Sequence, residues 1–335
     1  MSLWRNSRKN IHHRGTELTQ KTTEDFFRQT PKGGTPNQDP LKNNQPTTKP
    51  KSFLNRLSPS VARVLTAVVL LPILIASILV DQLAILFCLL AATAIVLGEI
   101  EFWLLARKKQ VRADVTAQVL SGLALLVIFY FTAPGKPPDL FMIQVVLLLL
   151  TTGSLTAAMV RGAPFDRMIL SVGVTILSVM YVALLGGYLI AVRVGFSPAL
   201  SRHLLSFFFL VLMGSDIAAY YGGRMFGRHK LAPSVSPGKT WEGAIAGMLA
   251  SLLLAAGSHY WFFPTLPLKF ALPLAAVMNV VGALGDLTES ALKRSAGAKD
   301  TAQLLPGHGG ILDRIDSLLF NAPLIYYFAW AYFSR

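Results

Sequence analysis

The stretch VARVLTAVVLLPILIASILV, residues 61–80, decides the fold of this chain. It is almost continuously apolar, and about 20 residues of α-helix, rising 1.5 Å per residue, cross a hydrocarbon layer about 30 Å thick. A long polar segment precedes it, whereas a secretory signal peptide has a short charged start and a shorter apolar core. The stretch is therefore predicted to be a retained membrane span.

Similar apolar runs recur as far as the carboxyl end of the chain. They are too long and too continuous for barrel strands, and in lipid only helices and closed barrels satisfy their backbone groups. The predicted fold class is an all-α polytopic membrane protein with about nine transmembrane helices. The predicted spans cover residues 61–80, 83–105, 115–133, 140–160, 168–192, 204–221, 243–262, 268–290 and 317–333.

The composition agrees with a membrane protein. Hydrophobic residues make up 53% of the chain and charged residues 14%, whereas soluble domains carry about 25% charged residues. The chain carries a net charge of +14. Because the chain is long and apolar, we attribute this charge to cytosolic loops and contact with anionic lipid rather than to nucleic-acid binding. The single cysteine, Cys88, excludes an internal disulfide and a cysteine-rich zinc site.

Residues 1–57 are rich in Pro, Asn, Thr, Gln and Lys. Residues 1–60 hold 11 Lys and Arg against four Asp and Glu, which is half of the net charge. We predict a disordered, basic, cytosolic tail over 1–57 and a transmembrane domain over 58–335 whose functional loops are 214–243 and 285–317. A solvated tail without a role and a transit peptide are the alternatives for the first segment.

Loop charges predict the orientation, because Lys and Arg mark the cytosolic side of a membrane. Basic loops alternate with loops that are poorer in Lys and Arg. The loop between the fifth and sixth spans, with Arg193 and Arg202, fits this alternation less well. The amino terminus is predicted to be cytosolic and the carboxyl terminus to lie outside. The basic loops follow the second, fourth, sixth and eighth spans and contain Arg107, Lys108, Lys109, Arg112, Arg161, Arg167, Arg224, Arg228, Lys230, Lys239, Lys293, Arg294 and Lys299.

Acidic residues collect at the predicted cytosolic ends of spans six, eight and nine. Carboxylates near lipid are costly and are usually functional. On the eighth span an acid, a hydroxyl and a lysine follow at i, i+4 and i+7, and two acids at i and i+3 open the ninth, so each set shares a helix face. Two such faces would form an oxygen-rich pocket for a hard divalent cation such as Mg²⁺. The residues are Asp216, Asp286, Glu289, Ser290, Lys293, Asp313 and Asp316.

Two simpler interpretations of these acids stay open. Asp313 or Asp316 alone would suit the amino-terminal cap of the ninth helix, where a carboxylate complements the helix dipole. Glu289 and Lys293 would form an ordinary ion pair along one helix.

Two loops are dense in basic residues and glycine. The first, SPGKTWEG at 236–243, contains Gly-Lys-Thr, but a phosphate loop requires a glycine where Pro233 stands, and no strand is predicted before it. We predict instead a tight turn from Ser236 that holds Lys239 and Thr240 at the start of span seven, where free N–H groups favour phosphate.

The second loop runs from Lys293 to Gly310. Lys293 and Arg294 are suited to phosphate oxygens, and paired glycines allow close backbone approach to a ligand. His308 is predicted to hydrogen-bond a phosphate or carboxylate rather than to bind a metal. These features predict a cytosolic membrane face where a divalent metal and several phosphates meet, as when a nucleotide meets a lipid headgroup.

The second loop and its flanks resemble the signature of the phosphatidate cytidylyltransferases, also called CDP-diacylglycerol synthases. The matching pattern is Ser290-x2-Lys293-Arg294-x4-Lys299-Asp300-x-Ala302-x2-Leu305-Pro306-x-His308-Gly309-Gly310-Ile311-x-Asp313-Arg314-Ile315-Asp316. The resemblance extends back through Gly285-Asp286-Leu287-x-Glu289, the SPGKTWEG loop and Asp216-x2-Ala219-Tyr220-x2-Gly223-x3-Gly227. It covers the last third of the chain, and the earlier spans resemble the family only in hydrophobic pattern.

The resemblance implies transfer of a cytidylyl group from CTP to phosphatidate with release of pyrophosphate. It implies a paired-cation site on Asp286, Ser290, Asp313 and Asp316, with Mg²⁺ expected and a second cation such as K⁺ left open. Combining it with the spacing arguments, we predict catalytic roles for Lys293, Arg294, Asp286 and Asp313. Predicted substrate-binding residues are Ser236, Lys239, Thr240, Asp216, Lys299 and His308.

The expected partners are CTP, phosphatidate and membrane lipid, without nucleic acid, and a homodimer is left open. The expected location is a bacterial cytoplasmic membrane with the site facing the cytosol, a plastid membrane being the alternative. Three rival functions remain: a CTP-dependent lipid kinase such as a polyprenol kinase, a transporter or lipid scramblase, and a nucleic-acid-binding anchor that depends on the tail alone. Transporters built on inverted repeats place polar residues near the membrane midplane. This sequence shows neither an internal repeat nor polar residues at the midplane.

Overall fold

A computed structural model describes residues 59–132, 134–162, 165–298 and 310–333, except for the side chains of 59–67. The predicted tail 1–57, Lys299 and His308 lie outside the described residues. The elements are α1 (Pro59–Leu79), α2 (Ala84–Lys108), α3 (Val115–Tyr130), α4 (Leu140–Val160), α5 (Met168–Ser178), α6 (Leu185–Val194), α7 (Pro198–Phe226), β1 (Lys230–Ala232), β2 (Ser236–Thr240), α8 (Trp241–Trp261), α9 (Leu268–Ser295) and α10 (Leu312–Phe333).

Six helical segments of the described chain are long and apolar enough to cross a membrane. They are Asp81–Lys108, Leu140–Val160, Met168–Val194, Pro198–Phe226, Trp241–Trp261 and Leu268–Ser295, and they confirm the predicted helical membrane architecture. The 16 residues of α3 give a length of about 24 Å, short of the hydrocarbon thickness. Helix α10 opens with charged residues, so the count of nine spans stays a prediction.

The fifth predicted span is one continuous helical segment with a π-helical turn, Val179–Leu184, between α5 and α6. Such turns occur mostly as single interruptions and are frequent at functional sites. Tyr181 in this turn is buried. Its ring lies edge-on to Phe102 of α2, at 6.2 Å between centroids, and to Phe320 of α10, at 5.9 Å. The π-turn therefore packs between the second and the last helices.

A small antiparallel hairpin between α7 and α8 departs from the predicted all-α class. Lys230 lies opposite Thr240, and Ala232 lies opposite Ser236. The predicted tight turn from Ser236 is therefore wrong, because Ser-Pro-Gly lies in β2 and the turn is at 233–235. Proline and glycine usually indicate turns, but in this two-stranded sheet β2 is an edge strand, where proline is tolerated.

Contacts between loops show which helix ends lie together. The loop after α3 meets the loop after α6, where the Gly135 N–H donates to the Gly195 carbonyl at 2.9 Å. Asp81, between α1 and α2, pairs with Arg193 at 3.9 Å and Arg202 at 3.4 Å. Both arginines that fit the charge rule less well therefore have an acidic partner at the same end of the helices.

Two further contacts join the loops that follow α2, α4, α7 and α9. Arg161, after α4, pairs with Asp114, after α2. The Arg294 Nε, near the end of α9, donates to the Val235 carbonyl of the hairpin turn at 3.4 Å. In both cases the partners come from every second loop of the chain. This is expected when successive helices cross the membrane in opposite directions, because every second loop then lies on the same side.

Helix α9 approaches α10 very closely at Gly285. A Cβ atom added there would lie 2.8 Å from the Asp316 backbone oxygen and 3.3 Å from the Phe320 ring. Only a residue without a side chain fits this contact. It places Asp286, the next residue of α9, beside Asp316 of α10.

The Gly285→Ala variant is expected to unfold at lower temperature, because the new methyl group forces the two helices apart. Overpacking of this kind costs about 1–3 kcal/mol, and thermal unfolding in detergent measures it. Gly257→Ala in α8 is the matched control, since its added Cβ meets no atom within 4 Å and alanine favours a helix. Equal loss of stability in both variants would contradict the close contact.

Candidate active site

Acidic side chains and two lysines come together where α7, α9, α10 and the hairpin meet. We call this group the acid–lysine cluster. Its members interact through ion pairs or through the charges that they exert on one another. They are Asp216 of α7, Lys239 of β2, Asp286, Glu289 and Lys293 of α9, and Asp313 and Asp316 of α10.

The hairpin brings Lys239 to α9. Its Nζ lies 2.7 Å from Asp286 Oδ2 and 3.5 Å from the Ala283 carbonyl oxygen. The next residue, Thr240, has a buried hydroxyl that accepts a hydrogen bond from the Gly243 N–H at 3.1 Å. Thr240 thereby caps α8, as threonine does at this position. The cap and the strand pairing together fix where Lys239 leaves the backbone.

Lys293 joins α9 to α10. Its Nζ lies 2.6 Å from Glu289 Oε2 on the same helix and 2.9 Å from Asp313 Oδ1 on the next. The i,i+4 pair with Glu289 is thus present, but the second contact crosses between helices. Asp313 Oδ2 also accepts from the Gly310 N–H at 3.4 Å. That capping contact is longer than the ion pair with Lys293.

Asp313 is charged at neutral pH. Burial raises the pKa of its carboxyl group, but hydrogen bonds with Glu289 and Lys293 and the positive charge of Lys293 outweigh burial. The pKa of Asp313 therefore lies below its ordinary value. A charged Asp313 holds the Lys293 ammonium group between the two helices.

The second part of the cluster surrounds Asp286. Ser290, one turn further along α9, donates to Asp286 Oδ1 at 3.5 Å. The charges of Asp286 and Lys239 act on both Asp216 and Asp316. Asp316 is 7% exposed. The structure therefore brings the four predicted metal ligands, Asp286, Ser290, Asp313 and Asp316, to the same junction of α9 and α10.

The donor chemistry of this junction fits a hard divalent cation. Carboxylate and hydroxyl oxygens are the ligands that Mg²⁺ prefers, and the carboxylates of the cluster outnumber its lysines. Among the described residues, however, no three His, Cys, Asp or Glu side chains surround one point as metal ligands would. Two of the acids, Asp286 and Asp313, are instead held by Lys239 and Lys293. The metal site stays a prediction.

Arg294 points to backbone carbonyls outside the acid–lysine cluster. Its Nε donates to the Val235 oxygen at 3.4 Å and its guanidinium to the Ala298 oxygen at 3.5 Å. Ser236 is half-buried in β2, beside the same hairpin turn. Arg294 and Ser236 therefore lie beside the hairpin turn and not in the acid–lysine cluster. Their predicted roles in phosphate binding stay predictions.

Two acidic residues of α2 were missed by the sequence analysis. Glu99 and Glu101 are wholly buried, and Glu101 accepts backbone hydrogen bonds from the start of α10. The available signal for Glu101 was its position inside the apolar run 83–105, where ionisable residues are rare and usually functional. Glu99 shares this position, but its carboxyl group lies against Gly122 of α3. Tyr181 was missed as well: it is buried in the π-helical turn and lies edge-on to Phe320 of α10, and the residues around it in the sequence give no signal of this position.

The fold and the site define a class: an integral membrane protein with lysines and carboxylates gathered where α7, α9, α10 and the hairpin meet. Residues 61–332 match the model of the cytidylyltransferase family. The chain belongs to this family, and the resemblance predicted from its motifs is confirmed.

Several curated relatives of this chain carry the name phosphatidate cytidylyltransferase. The protein from Bacillus subtilis is 35% identical over 241 residues, which cover 69% of this chain and 85% of that protein. The protein from Haemophilus influenzae is 46% identical over 129 residues, and the one from Brucella suis is 47% identical over 131 residues. These two matches cover 37% and 36% of this chain, and the chain spans 45% of the length of each relative.

Proposed function

We propose that this chain is a phosphatidate cytidylyltransferase, which converts CTP and phosphatidate into CDP-diacylglycerol and pyrophosphate. The observation that carries the proposal is the acid–lysine cluster, in which Lys239 and Lys293 are each held by a carboxylate at the junction of α9 and α10. Family membership and the names of the relatives support the same substrates.

The reaction joins two polyanions. An oxygen of the phosphatidate phosphate attacks the α-phosphorus of CTP, a new P–O bond forms, and the bond from the α-phosphorus to the bridging oxygen of the β-phosphate breaks. Pyrophosphate leaves with that bonding pair. A phosphate monoester has a second pKa of about 6, so the nucleophile is largely ionised at neutral pH and needs no strong general base. The protein must supply positioning and relief of charge repulsion.

The two lysines are placed to meet those needs. Lys293 is half-buried between Glu289 and Asp313, and Lys239 is fixed by the hairpin and Asp286. Ammonium groups that are held in advance stabilise developing phosphate charge with little reorganisation. Mg²⁺, held by Asp286, Ser290, Asp313 and Asp316, would supply Lewis-acid stabilisation of the charge on the transferred phosphoryl group. Arg294 is proposed to bind phosphate beside the hairpin turn.

Labelled CTP distinguishes this function from its nearest rival. Purified protein is given phosphatidate, Mg²⁺ and CTP radiolabelled at either the α- or the γ-phosphate. We expect the α label to enter lipid and the γ label to leave as pyrophosphate. Transfer of the γ label to lipid would instead identify a lipid kinase. Pyrophosphate release that requires phosphatidate would exclude a transporter or scramblase.

The proposed orientation has nine spans, a cytosolic amino terminus and the site facing the cytosol. Loop charge supports it, as do the contacts between alternate loops. In a bacterial cytoplasmic membrane this arrangement leaves the acyl chains of phosphatidate in lipid while CTP arrives from water.

Single-cysteine labelling tests the orientation. Cys88 is the sole cysteine of the sequence and is buried, so the wild type gives a low background. In sealed right-side-out vesicles, we expect a membrane-impermeant maleimide to label Thr265→Cys, between α8 and α9, and to label Ser234→Cys, in the hairpin turn, only after the vesicles are opened. The reverse pattern would invert the proposed orientation.

A further inference from the structure

A buried carboxylate from the second helix holds the first turn of the last helix. Glu101 of α2 is 0% exposed. Its Oε1 accepts from the Ile311 N–H at 2.9 Å and its Oε2 from the Leu312 N–H at 2.8 Å. The first N–H groups of a helix have no partner within the helix, and the positive end of its dipole favours an anion. Glu101 is thus a helix cap supplied from about 210 residues away in the sequence.

The two capped N–H groups lie directly before Asp313. On α2, Gly98 is one turn before Glu101 and faces the same helix: a Cβ atom at Gly98 would lie 3.4 Å from Ile315 and 3.8 Å from Leu312. Helices α2 and α10 therefore touch along this stretch. The position of Asp313 opposite Lys293 depends on where α10 begins, and Glu101 accepts two N–H groups at that start.

We propose that Glu101 is a positioning residue for the reaction. It fixes the rotation and height of the first turn of α10, so that Asp313 meets Lys293 and Asp316 lies beside Asp286. Without it, two buried N–H groups lose their acceptors, the first turn loosens and Asp313 moves away from Lys293. The inference rests on the proposed function, because it gives Glu101 a role only through the acid–lysine cluster.

The Glu101→Gln variant tests the proposal. Glutamine has nearly the same shape, but its amide has one acceptor oxygen and one NH₂ group, so it turns a donor towards one of the two N–H groups. A displacement of about 1 Å at a reacting centre costs on the order of 10²-fold in rate. We expect kcat to fall about 10- to 100-fold with little change in KM for CTP, and amide hydrogen exchange to accelerate in the peptide that contains Ile311 and Leu312.

Glu99→Gln is the matched control. Glu99 is equally buried on the same helix, but its carboxyl group packs on Gly122 of α3. We expect this variant to keep the wild-type kcat and the wild-type exchange of the Ile311 peptide. If E101Q does not fold, Glu101→Asp, which keeps the charge but is one methylene shorter, takes its place with the same expected local exchange.

The outcomes separate the two proposals. A wild type that transfers no cytidylyl group overturns the proposed function. An active wild type with an equally active E101Q overturns only the positioning role. Loss of activity in proportion to loss of folded protein, without faster exchange at Ile311 and Leu312, also overturns the positioning role, because it would show a purely structural contribution.

Discussion

Asp313→Asn is expected to reduce kcat by at least about 10³-fold, equivalent to about 4 kcal/mol of transition-state stabilisation. Asparagine keeps the size of the side chain and an acceptor for the Gly310 N–H, but it removes the charge that faces Lys293 at 2.9 Å. It also removes a proposed Mg²⁺ ligand. Pyrophosphate release by purified protein with saturating CTP and phosphatidate measures the loss.

Asp139→Asn provides the control for this first prediction. Asp139 caps α4 by accepting from the Met142 N–H at 3.1 Å, and asparagine caps a helix about as well as aspartate. We expect the control to retain wild-type turnover and both proteins to remain folded by size-exclusion chromatography. Full activity of Asp313→Asn would show that Asp313 is only a cap for α10, the simpler interpretation that the sequence left open.

Lys293→Met is expected to lower kcat by about 10²–10³-fold, because one prepositioned cation contact with the reacting phosphates is lost. The substitution also leaves Glu289, which is 1% exposed, and Asp313 without their shared cation. Breaking a buried pair in this way costs about 3–5 kcal/mol of stability. The kcat must therefore be measured on folded protein well below its unfolding temperature.

Two further variants give this second prediction its controls. Lys293→Arg keeps the charge but replaces a compact ammonium by a planar fork, so we expect it to recover the stability more fully than the turnover. Lys269→Met, at an exposed position near the start of α9, should alter neither. If Lys293→Met lost stability but kept wild-type kcat, Lys293 would serve only to join α9 to α10.

The positions of the helices followed from apolar runs, because a span in lipid must be long, apolar and helical. The hairpin did not follow, because Ser236, Pro237 and Gly238 are residues that favour turns. Their strand is set by pairing with residues 230–232, and such pairing is a tertiary property. Likewise, the pairing of Arg193 and Arg202 with Asp81 was not predicted, because spacing along the chain does not reveal it.

The residues of the candidate site could be predicted from the sequence more completely than the contacts between them. Helical spacing placed Asp286 with Ser290 on one face and Asp313 with Asp316 on another. It did not reveal that Lys239 would pair with Asp286, because that contact depends on the unpredicted hairpin. The contacts of Glu101 were hidden for a related reason: it accepts from backbone N–H groups at the start of α10, and such donors carry no side-chain signature in the sequence.

The most direct test of the account is turnover by purified protein with CTP and phosphatidate, before and after removal of divalent cations. We predict equal amounts of CDP-diacylglycerol and pyrophosphate in the presence of Mg²⁺, loss of both after chelation, and recovery when Mg²⁺ is restored. Undiminished formation of CDP-diacylglycerol without divalent cations, or no product under any condition, would contradict the proposed chemistry of the acid–lysine cluster.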